Sequence, residues 1–147
     1  MRKLVILTII SICITSCGLT TPLYYWGAST LNGATTYENL TYKNYDTQTP
    51  ESICKLIYMY EDMVTHPGGT RKLPPPGICA EYGYMLLVPG NAEIFEKHAT
   101  PTQKKIFIST DYASFFPERG KEMMLKEIEL YPESAKFIAP LIDRLCN

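Results

Sequence analysis

The sequence predicts an all-α domain, and three observations support that prediction. From Ile53 to Val64 the apolar side chains recur every three or four residues, which is the spacing of one buried helix face. The pair Thr49-Pro50 before that stretch is typical of a helix start. Further along, the small residues Ala80 and Gly83 lie about one turn apart, so a second helix can approach closely there.

Residues 1–16 are predicted to be a lipoprotein signal peptide. Arg2 and Lys3 give a basic start, residues 4–14 are almost wholly apolar, and small residues then precede Cys17. This pattern resembles the bacterial lipobox, in which the cysteine becomes the acylated N-terminus, so we expect lipid attachment at Cys17. The alternative is an ordinary signal peptide with a cysteine there by chance. On the first interpretation, residues 17–23 form a tether and 24–147 a single helical domain.

Charge and cysteine content narrow the function classes. Arg2 and Lys3 leave with the signal, so 12 of the 14 basic side chains remain against 15 acidic ones, which argues against nucleic-acid binding. Cys54, Cys79 and Cys146 are too few for a disulfide framework, and we expect buried thiols. In lipoproteins of this kind an acidic residue just after the lipidated cysteine can signal inner-membrane retention. None follows Cys17, so the expected location is the outer membrane, facing the periplasm.

An aromatic segment opens the domain. Tyr24, Tyr25 and Trp26 are followed by Gly27 and the turn pair Asn32-Gly33, so we expect a loop before a weak helical pattern that starts at Thr36. Aromatic side chains at this density are typical of a contact surface for carbohydrate or protein. The alternative is that they cover the end of a small helical core.

Two helices and an insertion follow. The first is predicted from Pro50 to Thr65 and the second, a docking helix, from about Gly77 to Val88, after three prolines. Residues 89–116 are predicted to be a helical insertion. It contains one helix over 92–98, a second from Pro101 through Phe107, and a short aromatic turn before Pro117.

Two helices are predicted at the end of the chain. The first begins at Pro117 and places Gly120, Met124, Ile128 and Tyr131 on one stripe; we expect its solvated remainder to include Glu118, Glu122, Glu127 and Glu129. The last follows Pro132-Glu133-Ser134 and contains Pro140, so we expect a kink or an early break.

Four segments resemble a bacterial envelope lipoprotein family of unknown function. They are Tyr24-Tyr25-Trp26-Gly27, Tyr37-Glu38-Asn39-Leu40, residues 75–84 (Pro-Pro-Gly-Ile-Cys-Ala-Glu-Tyr-Gly-Tyr) and residues 126–134, which end in Tyr-Pro-Glu-Ser. The last two resemble a tetratricopeptide-type helix pair with a capping helix. The resemblance therefore implies tetratricopeptide-like hairpins, in which Tyr82-Gly83 on one helix receives Gly120 and Met124 from the other; Ala80 belongs to the same predicted crossing.

The chain departs from the family in two places. Residues 28–36 lengthen the aromatic motif, and residues 89–116 stand where the family has a turn of a few residues. Members are typically encoded beside a lipoprotein that resembles the curli secretion channel subunit. The resemblance therefore implies an accessory role in an outer-membrane assembly, with another envelope lipoprotein or a secretion-channel component as partner.

The expected function is binding without catalysis, metal or cofactor. The candidate partner-binding residues are Tyr25, Trp26, Tyr37, Tyr82 and Tyr84. The alternative is an envelope hydrolase that acts on cell-wall glycan or peptide, with Glu118 or His98 as acid or base, or with His98, Asp111 and a nearby serine as a triad. A third possibility is an anchored spacer with structural duties alone.

Overall fold

The computed structural model describes residues 21–29 and 33–146. Cys17, the signal peptide and most of the tether lie outside the described residues. The all-α prediction is confirmed: the described residues contain seven α-helices, no strand and one short 3₁₀ helix at Pro132–Ser134. The helices are α1 (Thr36–Asp46), α2 (Pro50–Thr65), α3 (Ile78–Leu87), α4 (Asn91–His98), α5 (Pro101–Lys104), α6 (Tyr112–Leu130) and α7 (Ala135–Leu145). Their arrangement as tetratricopeptide-like hairpins stays a prediction.

Helix α2 supplies most of one side of the core. It starts with a reciprocal cap, in which the Thr49 hydroxyl accepts the Ser52 N–H (3.1 Å) and the Ser52 hydroxyl accepts the Thr49 N–H (3.0 Å). Its buried apolar side chains are Ile53, Cys54, Leu56, Ile57, Met59, Tyr60, Met63 and Val64. Helices α1, α3 and α4 pack on this helix.

Helices α3 and α6 make the most extensive helix–helix contact among the described residues. A Cβ added at Gly83 would lie 2.7 Å from the carbonyl oxygen of Gly120 and 2.8 Å from the side chain of Met124. A Cβ added at Gly120 would meet the Gly83 carbonyl oxygen at 2.9 Å. Two backbones in van der Waals contact leave no room for a methyl group, so glycine at both positions sets the distance between the helices.

The start of the domain is fastened to the connector between α2 and α3. Thr70 donates its backbone N–H to the carbonyl of Pro22, and Arg71 does the same to Leu23, both at 3.0 Å. Gly69 (φ 75°) makes this possible, because a Cβ there would lie 2.5 Å from the Leu23 carbonyl oxygen. The aromatic segment is thus held on the body of the domain from its first residues.

The predicted insertion is helical, but its boundaries differ from those expected. Helix α5 ends at Lys104, because the chain turns there and carries Phe107 into a cluster of rings with Phe95, Tyr112 and Phe116. The next helix begins at Tyr112 and passes through Pro117, so the prediction of a turn at 109–116 and a helix start at Pro117 was wrong. Pro117 is the sixth residue of α6 and its ring is exposed, so the helix tolerates it at the cost of one backbone hydrogen bond.

The expected early break in the last helix does not occur, since α7 continues through Pro140 to Leu145. Its apolar face packs on α6, and buried Ile138 and Ile142 form a small second cluster with Met124. None of the described helices combines the length and the apolar character needed to cross a membrane.

Candidate functional site

A groove of about 390 Å³ lies between the aromatic segment, α1 and the outer face of α2. Its volume falls in the range of small ligand sites. The lining is largely apolar, and two charged side chains contribute to it from α2. The lining residues are Tyr25, Gly27, Ala28, Thr36, Leu40, Lys55, Tyr58, Met59 and Asp62.

Four of these residues line the groove because they share one face of α2. Lys55, Tyr58, Met59 and Asp62 are spaced by three, one and three residues, so they follow each other along two turns. Lys55 and Asp62 are therefore separated by about 10 Å along the helix axis. Burial raises the pKa of Tyr25, and the nearby Asp62 carboxylate raises it further, so Tyr25 stays a neutral donor in the groove.

A ladder of aromatic rings runs from the groove region into the core. Trp26 packs on Tyr37 at 5.2 Å between ring centroids, Tyr37 on Tyr60 at 6.3 Å, and Tyr60 on Tyr82 at 5.8 Å. Contacts of this geometry stabilise by about 0.5–1.5 kcal/mol each beyond the area that they bury. The ladder joins the aromatic segment, α1, α2 and α3.

One exposed carboxylate fixes the middle of the ladder. Tyr37 donates its hydroxyl to both oxygens of Glu81 (2.8 and 3.1 Å), and Tyr60 donates to Oε2 at 2.9 Å. Burial first and Glu81 second raise the pKa of both phenols, so each remains a donor. Trp26 and Tyr37 also line a second, smaller concavity of about 310 Å³ with Thr35 and Glu38.

The structure separates the five candidate partner-binding residues. Tyr25 lines the larger groove, and Trp26 and Tyr37 line the smaller one. Tyr84 is 53% exposed on α3 and belongs to neither lining. Tyr82 is fully buried, so assigning it to a contact surface was wrong in this conformation: its ring stacks on Tyr60 inside the core.

Glu61 of α2 is a buried carboxylate, and burial of a charge requires a partner. Arg119 of α6 explains this, since its guanidinium lies 2.9–3.3 Å from both carboxylate oxygens. Arg119 also contacts Glu122 at 2.9 Å. Burial lowers the pKa of Arg119, but the carboxylates of Glu61 and Glu122 have the larger effect, so the pKa is raised. The three side chains form an ionic lock between α2 and α6.

Glu127 is the second buried carboxylate, and its placement on the solvated face of α6 was wrong. It is 2% exposed, and its Oε1 accepts the backbone N–H of Gly77 at 2.8 Å. Gly77 precedes α3 in a left-handed conformation and has no side chain to cap the helix, so Glu127 acts as the cap from another helix. Burial raises the pKa of Glu127, and the N–H groups of Gly77, Ala80 and Cys79 partly oppose this.

The residues named for the alternative hydrolase either make other hydrogen bonds or are not joined to one another. The Asp111 carboxylate accepts the Ser114 N–H and caps α6, while the Ser109 hydroxyl accepts the N–H of Asp111. His98 is exposed at the end of α4, and in the described part of the chain no hydrogen bond joins it to Asp111 or Ser109. Glu118 is exposed on α6. Residues 21–29 and 33–146 contain no cluster of three or more His, Cys, Asp or Glu residues able to hold a metal ion.

Buried cysteines do not supply a nucleophile to this site. Cys54 and Cys79 are free and buried, and Cys146 is free and partly exposed. Burial raises the pKa of the Cys54 thiol to about 11 and that of Cys79 to about 12, so both stay protonated at neutral pH.

Sequence reasoning missed Lys55, Tyr58 and Asp62 as members of the groove. Helical spacing places Lys55 and Asp62 outside the apolar stripe of α2, but it gives no sign that the aromatic segment folds back over that side. The available signal was Gly68-Gly69, a pair that permits close approach of another backbone. Comparison with protein-family models, with curated proteins and with solved structures found no match.

Proposed function

We propose that this protein is an outer-membrane-anchored lipoprotein that binds another envelope protein and performs no catalysis itself. The membrane contact is the acyl group expected at Cys17, and the partner is another envelope lipoprotein or a secretion-channel component. The observation that carries the binding role is the groove between the aromatic segment and α2. No cofactor or nucleic acid takes part in the proposal.

The chemistry of the groove favours a peptide segment of a partner over a small polar substrate. Its floor is apolar and aromatic, and Lys55 and Asp62 offer opposite charges about 10 Å apart on one helix face. A segment with an apolar side chain between an acidic and a basic residue would satisfy all three features. Partly buried tyrosines are also the side chains on which binding energy commonly concentrates.

Site-specific cross-linking tests the proposal. A photoreactive amino acid replaces Ala28, an exposed residue of the groove lining, in the acylated protein, and the products are recovered from intact envelopes. We expect one defined adduct with an envelope protein, and we expect Tyr58→Ala to reduce its yield by about tenfold, as loss of a central aromatic contact does. The same photoreactive group at Lys97, exposed on α4, is the matched control.

Two outcomes would contradict the proposal. Equal adduct patterns from positions 28 and 97 would mean that the groove has no specific partner. Hydrolysis of cell-wall fragments by the purified protein, lost in His98→Ala, would establish the enzyme instead.

A further inference from the structure

The point at which the tether enters the domain is fixed by backbone hydrogen bonds. Thr70 and Arg71 bond to the carbonyls of Pro22 and Leu23, and Gly69 packs against the same backbone. Pro22 and Leu23 therefore lie against the connector between α2 and α3. A lipid attached to Cys17 would therefore hold the domain through Pro22 and Leu23.

Covalent geometry limits the distance between the lipid and this point. Five peptide units separate Cys17 from Pro22, so their Cα atoms lie at most about 18 Å apart, whatever the conformation of the residues between them. An acyl chain at Cys17 enters the bilayer at its surface. The face of the domain around Pro22 must then lie within about 18 Å of the headgroups.

The surface at that point has the composition of a membrane-contacting face. Leu23 is 60% exposed and Leu73 is 37% exposed, and the exposed cations Arg71 and Lys72 directly precede Leu73 in the connector, where the Arg71 backbone bonds to Leu23. The Arg71 guanidinium lies 6.0 Å from the centre of the Tyr24 ring, which keeps that charge beside Leu23. Apolar side chains beside basic ones suit the boundary between lipid headgroups and water.

We propose that these four residues, Leu23, Arg71, Lys72 and Leu73, rest on anionic phospholipid and orient the domain on the membrane. We call them the anchor patch. The inference rests on the proposed acylation of Cys17. Because the mature chain carries more acidic than basic side chains, an anionic surface repels most of it, and the cations beside the tether decide which face approaches.

The patch also determines what faces away from the membrane. Tyr131, which directly follows α6, donates its hydroxyl to the carbonyl of Pro74 at 2.6 Å, so the C-terminal end of α6 lies next to the patch. Helix α6 has 19 residues and is therefore about 28 Å long. Its other end, near Ile108, is directed away from the tether, and Ile108 is fully exposed. Leu23 beside the patch and Ile108 near the far end of α6 can therefore report the orientation of the domain.

Fluorescence quenching tests the anchor patch. The acylated full chain carries Trp26→Phe, to remove its single native tryptophan, together with Leu23→Trp or the control Ile108→Trp. Both are reconstituted into vesicles of phosphatidylethanolamine and phosphatidylglycerol that contain brominated acyl chains. We expect bromine to quench the tryptophan at position 23 about threefold more than that at position 108, and aqueous acrylamide to show the reverse order.

Charge reversal at the two cations tests whether anionic lipid is required for the difference in quenching. Adding Arg71→Glu and Lys72→Glu to the Leu23→Trp variant should remove most of the difference from the control, and so should vesicles without phosphatidylglycerol. A tryptophan at position 23 that is open to acrylamide on anionic vesicles would overturn the patch. The same result would be expected if a partner protein, rather than lipid, covers this surface in the cell.

A second measurement needs no substitution. Trypsin cleaves after Arg71 and after the exposed Lys105 near Ile108. The rate of cleavage after Arg71, divided by the rate after Lys105, should fall about fivefold on anionic vesicles relative to zwitterionic ones. An unchanged ratio would overturn the proposal. The intact mass of the protein separates the anchor patch from the proposed acylation of Cys17. If the chain is acylated and the patch is exposed, the patch alone is refuted. If the chain carries no acyl group, both proposals are refuted.

Discussion

At the crossing of α3 and α6, two missing side chains determine the packing of the domain. Gly83 and Gly120 bring the two backbones together, and Met124 closes the gap beside them. Glycine inside a helix normally lowers stability by about 1 kcal/mol relative to alanine. A steric requirement explains glycine at such a position: a Cβ added at Gly83 would lie 2.7 Å from the Gly120 carbonyl oxygen.

The variant Gly83→Ala should destabilise the protein instead of showing the gain that helix propensity alone predicts. The new methyl group overlaps the backbone of α6, which cannot yield as a flexible side chain does. We expect a loss of about 2–4 kcal/mol in the free energy of unfolding, measured with urea. Lys121→Ala, next to Gly120 and exposed, is the control and should change it by less than about 0.5 kcal/mol. Higher stability in Gly83→Ala would contradict the crossing.

Glu127 gives a prediction that depends on pH. Burial raises its pKa in the folded protein above the ordinary value of 4.5, so folding favours its protonated form. A raised folded pKa means that its contribution to stability is complete below the ordinary pKa and is lost as pH rises through the folded value. We expect the free energy of unfolding of wild type, relative to Glu127→Gln, to fall as pH rises from 4 through the pKa of Glu127 in the folded protein.

The control for that experiment is Glu129→Gln, since Glu129 is exposed on the same helix. Urea unfolding of all three proteins at each pH gives the required differences. A difference between wild type and Glu127→Gln that stays constant with pH would refute the buried titration. The hydrogen bond to Gly77 is retained in this variant, because the amide oxygen of glutamine also accepts.

These residues also show why a sequence predicts helices better than it predicts buried charge. Glu61 and Glu127 occupy positions that helical spacing permits on a polar face. What buries them is a partner distant in sequence: Arg119 for Glu61 and the uncapped start of α3 at Gly77 for Glu127. Neither partner can be deduced from the local pattern, because both depend on which helices pack together.

At the scale of elements, local signals fixed most helix boundaries. Thr49-Pro50 marks the start of α2, and α3 follows the proline run and Gly77 as expected. The start of α6 was misplaced because Pro117 was taken as its first residue. Asp111 accepts the Ser114 N–H and caps the helix five residues earlier than Pro117. The buried rings of Tyr112 and Phe116, packed on Phe95, then outweigh the proline penalty.

Pro117→Ala should therefore stabilise the protein. Alanine restores the N–H that can bond to the Ala113 carbonyl and has the highest helix propensity, and these gains exceed the entropy that the unfolded chain regains. We expect an increase of about 1–2 kcal/mol in the free energy of unfolding. Pro101→Ala, at the first position of α5 where no bond is missing, is the control and should be neutral or slightly destabilising. Loss of stability in Pro117→Ala would show that the ring makes a required contact.

At the scale of the whole molecule, two long-range connections hold the start of the domain against its body. The aromatic ladder from Trp26 to Tyr82 runs inward, and the hydrogen bonds from Thr70 and Arg71 fasten the start of the domain. Both act on the same segment, residues 22–28, which also forms one wall of the groove. The proposed binding site and the proposed membrane contact therefore depend on one piece of chain staying docked.

Gly69→Ala should undock that piece. A methyl group there would lie 2.5 Å from the Leu23 carbonyl oxygen, and alanine also resists the left-handed conformation at φ 75°. We expect a loss of about 2–3 kcal/mol in unfolding free energy, with the Trp26 emission shifted to longer wavelength as its ring leaves Tyr37. Gly90→Ala shares the positive φ but meets open space, so its loss should be about 1 kcal/mol without a fluorescence shift. Equal effects from the two variants would mean that strain alone, and not the docked segment, accounts for the loss.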